Sequence, residues 1–380
     1  MNKILQLLLF VLISSCATKR TITNNNTLLK EVEAKIDSIY KKNPETIGLL
    51  VHIEAPDKNI SWTKTVGYSD KVAETPINKN QPALIASNTK TYVAVAILRL
   101  VEMKKIQINQ PIANLLTIKT KEKLTNFGYN LNTITIKQLL SHTSGIKDYG
   151  DDDYFEYIDK NKKRRWTRDE QIQLAASRGK PLAKPGKLHS YGDINYLLLS
   201  EIIENKTNKP FYTSIRELLK FKALQLNNTW FYTLEDTPKN SLPFLHQYRT
   251  SKNWDSYDFD PSWDLYGGGG LASTIQDLAL FFQYLFEEKI IKDKNLLNEL
   301  VTVVKAEKNR DYALGIRNIK PFNIEAYYHG GYWGTDVAFI KDFNTTVAIY
   351  NLERDKRNIA GKINVEILNI LKAVTNEASN

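Results

Sequence analysis

Strand-like segments stand near both ends of this chain and helical ones fill its middle, an order that leaves few ways to fold. Residues 47–53 and 60–66 near the start, and 345–350 near the finish, are rich in β-branched and apolar side chains, the composition of strands. A helical stretch, 28–40, precedes the first pair. After residue 350, Ile359, Ile363, Val365, Ile367, Leu368, Ile370 and Leu371 fall on a helical stripe that runs to Val374. Ends built alike are expected to join one sheet, formed from about 28–105 and 300–374. Residues 105–300 are then an inserted, mostly helical region, and 375–380 a tail.

A chain of 380 residues with 42 % apolar and 25 % charged residues has material for a large core. That composition excludes disorder, collagen and a multi-span membrane protein. The formal net charge is +10, but the charges are scattered apart from short runs such as residues 162–165. A nucleic-acid groove would cluster basic residues among stacking aromatics, so no nucleic-acid partner is expected.

The first residues carry Lys3, an apolar run from Ile4 to Ile13, then Ser14, Ser15 and Cys16. The run is too short to span a bilayer but suits a secretory signal, residues 1–15. Ile-Ser-Ser-Cys resembles a bacterial lipobox, whose cysteine is lipidated and becomes the new N-terminus. Cys16 is the only cysteine. The expectation is an exported protein of the bacterial cell envelope, in the periplasm or at the cell surface, held to the membrane by a lipid on Cys16. Residues 16–27 then form the lipidated end and a flexible tether. An ordinary cleaved signal with a chance cysteine is the plainer alternative.

Several chemistries are excluded by spacing. The five histidines, His52, His142, His189, His246 and His329, show no His-x-x-x-His pair, and there are no thiolates for a structural zinc; no metal or cofactor is expected. The run Gly267 to Gly270 lacks the Gly-Lys-Ser/Thr of a phosphate loop, and no Gly-x-Ser-x-Gly elbow occurs.

The remaining hydrolytic arrangement is a serine with a lysine three residues on, because i and i+3 share one helix face. Ser-x-x-Lys occurs five times, at Ser38, Ser61, Ser87, Ser144 and Ser177. Only Ser87 follows a strand-like run, 83–86, and opens a strongly apolar helix, 92–101. There free backbone donors stabilise developing negative charge, and low dielectric is expected to lower the Lys90 pKa; both favour a nucleophile. Ser87 as a simple N-cap, with Lys90 reaching outward, is the alternative.

Tyr191-Gly192-Asp193 lies after Pro185-Gly186 and before an apolar helix, 197–203. A phenol near a lysine ammonium is expected to ionise below its usual value and serve as base; an ordinary core or surface tyrosine is the alternative. Tyr-x-Asp recurs elsewhere, as at Tyr68 and Tyr149, the latter in a polar segment read as solvated loop. His329-Gly330-Gly331 is the only His-x-Gly. Its glycines allow close approach to a strand edge, and backbone N–H groups there, with that of Ser87, suit an oxyanion hole. The histidine alone reads equally as a satisfied half-buried side chain.

In order, Ser87-x-x-Lys90, Tyr191-x-Asp193 and His329-x-Gly331 resemble the three motifs of the serine β-lactamase-like family: class C β-lactamases, D-alanyl-D-alanine carboxypeptidases and penicillin-binding esterases. The stretches 139–145, 185–186 and 269–274 are similar too, and the likeness covers about residues 30–372. It implies an α/β (α+β) fold, with an antiparallel sheet flanked by helices, a helical subdomain and a cleft between them. It implies an acyl-enzyme on Ser87, proton transfer by Lys90 and Tyr191, and a carbonyl polarised by the N–H groups of Ser87 and Tyr332. His329, Gly331 and Asp193 fall where the family binds substrate, while His142 and the glycine run read as architectural.

Two departures matter. Asp193 stands where the family commonly has asparagine, and His329-Gly330-Gly331 where many members have Lys-Thr-Gly. An ionised aspartate only accepts hydrogen bonds, and the cation that would meet a substrate carboxylate is gone. Both weaken the case for β-lactams and suit an ester, an amide or a D-peptide, with specificity left to segments 149–168 and 248–266. A non-catalytic relative that binds cell-wall fragments or a protein partner is the other reading.

Overall fold

The computed structural model describes residues 25–379, with side chains to residue 374; Cys16 and the apolar run before it lie outside the described residues. Helix α1 (25–41) leads into β1 (Gly48–Ala55), β2 (Ile60–Asp70), β3 (Thr75–Pro76) and β4 (Ala83–Leu84). Seven helices follow: α2 (Thr89–Glu102), α3 (Ile118–Thr125), α4 (Ile136–Leu140), α5 (Asp152–Lys160), α6 (Arg168–Ser177), α7 (Ile194–Thr207) and α8 (Phe211–Leu218). Then come β5 (Thr229–Phe231), β6 (Tyr248–Arg249), β7 (Trp254–Asp255), β8 (Leu271–Ser273), α9 (Ile275–Phe286) and α10 (Lys294–Val301). The chain closes with β9 (Arg317–Ile319), β10 (Ala326–Gly330), β11 (Thr335–Ile340), β12 (Thr345–Asn351) and α11 (Asn358–Ser379).

The two ends of the fold do share a sheet. Its seven antiparallel strands run in the order β3-β2-β1-β12-β11-β10-β9, so β1 and β12 are neighbours, with Leu50 opposite Tyr350 and Val51 opposite Ile349. Successive strand side chains point to opposite faces. Leu49, Val51, Ile53, Val347 and Ile349 therefore pack with Leu28, Val32, Ile36, Ile359, Ile363 and Ile367 of α1 and α11. Leu50, Ala348 and Tyr350 enter the larger core on the other face. Both faces are covered, which is why these strands read as nearly continuous apolar runs. The α/β (α+β) architecture with a helical insert is thus present.

The insert differs from its sequence reading in detail. It contains a small sheet, β4-β8-β5, and the pair β6-β7. Helix α9, inside residues 105–300, belongs to the main-sheet layer, packing across β1, β11 and β12. Its Leu278, Phe281, Phe282 and Leu285 are buried, a stripe wide enough to cover a sheet rather than another helix alone. Helix α11 continues to Ser379, past the expected start of the tail at 375, and residues 25–27, inside the expected tether, belong to α1. Among the described residues no helix is long and apolar enough to cross a membrane.

Candidate active site

Ser87 sits where strand β4 turns into helix α2. The Ile85 N–H donates to Leu271 O of β8 at 2.9 Å, and Ala86 takes a left-handed φ of 45°. That conformation costs an alanine about 1–2 kcal/mol and persists only where its surroundings impose it. Asn88 supplies those surroundings. Its Nδ2 lies 2.9 Å from Ile85 O, 3.1 Å from Thr335 O and 2.9 Å from Thr335 Oγ1, stitching the Ser87 turn to β11. Ser87 thus occupies a 3-10 turn, Ala86–Asn88, just ahead of α2. Asn88 escaped the sequence reading because its partners are remote in the chain.

One turn on, the buried Lys90 directs its Nζ to Ser87 Oγ at 2.9 Å and to Gly268 O at 2.5 Å, and pairs with Asp193 Oδ1 at 2.5 Å. The same Nζ is 4.9 Å from the centre of the Tyr191 ring. The Tyr191 phenol lies against both Lys90 and Ser87, each of which acts to hold its pKa down. Ser87, Lys90, Tyr191 and Asp193, brought from two distant segments, therefore converge.

The electrostatics differ from the sequence expectation. Burial by itself pushes the Lys90 pKa down, but Asp193, Tyr191 and Asp264 outweigh it, and the ammonium is held above its ordinary value. Tyr191 is 38 % exposed, yet burial of its hydroxyl end, helped by Asp193, raises its pKa against the pull of Lys90. At rest, therefore, Lys90 is charged and Tyr191 neutral, the reverse of the expected lowered values. Of the carboxylates responsible, Asp193 lies in the Tyr191 motif but meets Lys90 only through the fold, and Asp264 comes from a distant segment.

Asp193 is the N-cap of α7 but makes no side-chain cap. Asp148 takes over, accepting from Ile194 N–H at 3.0 Å, and leaves Asp193 free to face Lys90 rather than substrate. Asp148 adjoins the segment read as solvated loop. In fact Tyr149 is buried, and burial, with Asp193 nearby, raises the Asp148 pKa to about 6. The glycine run packs against the same group: a Cβ on Gly268 would stand 2.8 Å from the Asp193 carboxyl, and one on Gly269 would collide with the Asp264 carboxyl. The run is glycine so that two carboxyls can lie against the backbone while Gly268 offers Lys90 its carbonyl.

Across the cleft, Gly331 N–H donates to Thr335 O at 2.6 Å and Gly334 N–H to Gly331 O at 3.2 Å, while the intervening Tyr332 N–H has no protein acceptor among the described residues. Gly331 lies against the nucleophile turn: a Cβ there would stand 2.3 Å from Ile85 O and 3.0 Å from Asn88 Nδ2. The Tyr332 ring stacks on Phe155 at 5.8 Å, with Trp263 edge-on at 5.3 Å, and its hydroxyl accepts from Arg249 at 2.9 Å. His329, placed among the substrate-binding groups from sequence, turns inward instead. It is buried, with Nε2 toward Tyr312 and Nδ1 toward Gly330 O, and burial lowers its pKa to about 3. A separate apolar cavity of about 440 Å³ lies between α11 and β9–β11, lined by residues such as Ile324, Ile340 and Leu368 and by none of the Ser87 group.

A family model described as Beta-lactamase matches residues 36–357. The chain belongs to the beta-lactamase family. The membership implied by the three motifs therefore holds. This beta-lactamase-family chain is 30 % identical over 237 residues to PbpX of Bacillus subtilis (strain 168), named as a penicillin-binding protein; the match covers 62 % of this chain and 54 % of that one. The chain thus spans about half the length of that relative. Its fold is similar to that of D-amino acid amidase from Ochrobactrum anthropi SV3, with TM-score 0.75 at 19 % identity, over 93 % of this chain and 99 % of that one. It is similar also to D-stereospecific amidohydrolase from Streptomyces sp., with TM-score 0.71 at 23 % identity, over 85 % and 95 %. At such identities the two structures speak for the fold alone.

Proposed function

We propose that this beta-lactamase-family protein is a serine hydrolase that forms an acyl-enzyme on Ser87. The observation that carries the reading is the 2.9 Å contact of Lys90 Nζ with Ser87 Oγ, with the Tyr191 phenol against both. Ser87 Oγ attacks the acyl carbonyl, and the oxyanion accepts from the N–H groups of Ser87 and Tyr332. Lys90 is charged at rest, so it must first shed a proton. As substrate enters the cleft, that proton crosses the 2.5 Å contact to the Asp193 carboxylate and leaves a neutral amine. Lys90 then takes the Ser87 proton, and Tyr191 delivers a proton to the leaving amine or alcohol. Water reverses the route and releases the acid.

The acyl donor proposed is an amino-acid or short-peptide amide, or an ester. The fold neighbours named as amidase and amidohydrolase point that way. So does the neutral, inward-facing His329, which offers no cation to a carboxylate beside the scissile bond, as a β-lactam has. We propose further that the protein is exported and held to the bacterial envelope by a lipid on Cys16, on the strength of Ile13-Ser14-Ser15-Cys16. Metabolic labelling with an alkyne fatty acid tests this: the wild type should label and Cys16→Ser should not, and equal labelling of both sinks the anchor.

Intact-mass analysis tests the hydrolase. The purified protein is incubated with a fluorophosphonate and with a panel of esters, D-amino-acid amides and β-lactams. One adduct per chain is expected with the fluorophosphonate and none on Ser87→Ala, with amides and esters turned over faster than lactams. No adduct from any probe would leave the cleft a binding site only, and preferred lactam turnover would overturn the substrate class.

A further inference from the structure

Beneath Tyr191, groups from four parts of the chain form a single file of hydrogen bonds. Gly192 N–H donates to His142 Nδ1 at 3.2 Å, and Asn195 Nδ2 approaches the same nitrogen at 3.3 Å. A ring nitrogen that accepts carries no proton. The His142 hydrogen is therefore on Nε2, 3.1 Å from the Tyr312 hydroxyl. Having accepted there, that hydroxyl turns its own hydrogen to His329 Nε2 at 3.3 Å. His329 Nδ1–H donates to Gly330 O at 3.1 Å. The neighbouring Tyr196 hydroxyl gives its hydrogen to Leu140 O at 2.8 Å; its oxygen also lies within hydrogen-bonding reach of the Tyr312 hydroxyl, where it is a weaker acceptor than the imidazole nitrogen of His329. All the bonds thus point one way, from the turn after Tyr191 to the strand before Gly331.

The order requires both imidazoles neutral, and the surroundings enforce it. His142, Tyr312 and His329 are buried. Burial, then the nearby Lys90 and Arg317 cations, holds both histidines below their ordinary value, with His189 adding to the effect on His142. The Tyr191 and Tyr196 rings complete the surround, at 4.3 Å and 5.1 Å from His142, and Arg317 is itself paired with Asp311.

We propose that Tyr312 is a positioning residue of this hydrolase. Its hydroxyl, held between two neutral histidines, fixes the turn that carries the Tyr191 phenol relative to the strand that leads to the Tyr332 N–H. Proton-transfer group and oxyanion donor then keep one separation. A lysine at position 329 has no acceptor for the Tyr312 hydrogen, so the histidine of the third motif serves the scaffold here. The proposal rests on the acyl-enzyme reading above, and its test separates the two.

Tyr312→Phe removes one oxygen and leaves the ring packing. It should lower kcat on an ester substrate, or the rate of Ser87 labelling by a fluorophosphonate, by about 10- to 100-fold with KM within about twofold, the scale of a misplaced catalytic group. His329→Gln keeps an acceptor and should stay within about threefold of wild type. His329→Leu should fall to the Tyr312→Phe level, and the double variant Tyr312→Phe/His329→Leu no further. Multiple-bond ¹H–¹⁵N NMR reads the tautomers without any substrate, and should show Nε2–H at His142 and Nδ1–H at His329 from pH 5 to 8. A different tautomer, a histidine titrating in that range, or an unchanged rate in Tyr312→Phe overturns the proposal. Failure of the wild type to label overturns the acyl-enzyme reading instead, and the NMR still decides the order of the file.

Discussion

Lys90 and Asp193 form an ion pair of 2.5 Å in which the lysine is wholly buried and the aspartate partly exposed. The pair keeps the amine charged at rest, so its strength sets the pH at which Lys90 can act as a base. Asp193→Asn removes the largest attraction on that ammonium, leaving Tyr191 and Asp264 against the penalty of burial. The Lys90 pKa falls. The acid limb of the pH dependence of Ser87 labelling should then move to lower pH by on the order of one unit or more. A limb that stays in place would falsify the role given to the pair.

Removing the lysine instead strands a carboxylate. Lys90→Met should abolish labelling and cost about 1–3 kcal/mol in urea unfolding, less than for a wholly buried pair because Asp193 keeps some exposure. Adding Asp193→Asn to it should restore part of that stability but no activity, because the unpaired charge is gone while the base is still missing. Purely additive stability losses would count against an uncompensated charge.

Gly331 admits no side chain, since its Cβ would stand 2.3 Å from both Ile85 O and Thr335 Oγ1. Gly331→Ala must push the Tyr332 turn away from the Ser87 turn. A displacement of about 1 Å at this point should lower kcat by about 10²-fold, with little change in far-UV circular dichroism. Wild-type kcat in a folded Gly331→Ala variant would separate the turn from oxyanion binding.

Asp277, in the first turn of α9, is 4 % exposed and accepts from Asn228 N–H at 2.8 Å. Burial outweighs that bond and raises its pKa from 3.8 to about 6. Between those values the folded state binds more protons than the unfolded, so the group's contribution is full below about pH 4 and is lost as pH rises through 6. Asp277→Asn keeps an acceptor and does not titrate. Relative to wild type it should gain about 3 kcal/mol between pH 4 and 7, read from paired urea unfolding curves. A constant difference across that range rules the assignment out.

Short-range pattern sufficed for the strands, whose apolar content reports burial on both faces, and for Ser87 and Lys90, which one helical turn brings together wherever that helix packs. It sufficed also for the motif order Ser87, Tyr191, His329 that marks the family. It failed wherever partners came from distant segments. Asp148 drew no reading from the sequence, because nothing near it shows that it caps α7, and the neighbouring Tyr149 segment read as solvated loop. Gly267 to Gly270 read as plain architecture because the carboxyls they accommodate belong to Asp193 and Asp264. Lys90 and Tyr191 were expected to have lowered pKa values, and the assembled site raises both. The reason is physical: hydrogen-bonded periodicity is a property of neighbours along the chain, whereas charge state and tautomer depend on groups within a few ångströms in space, and here folding alone supplies them.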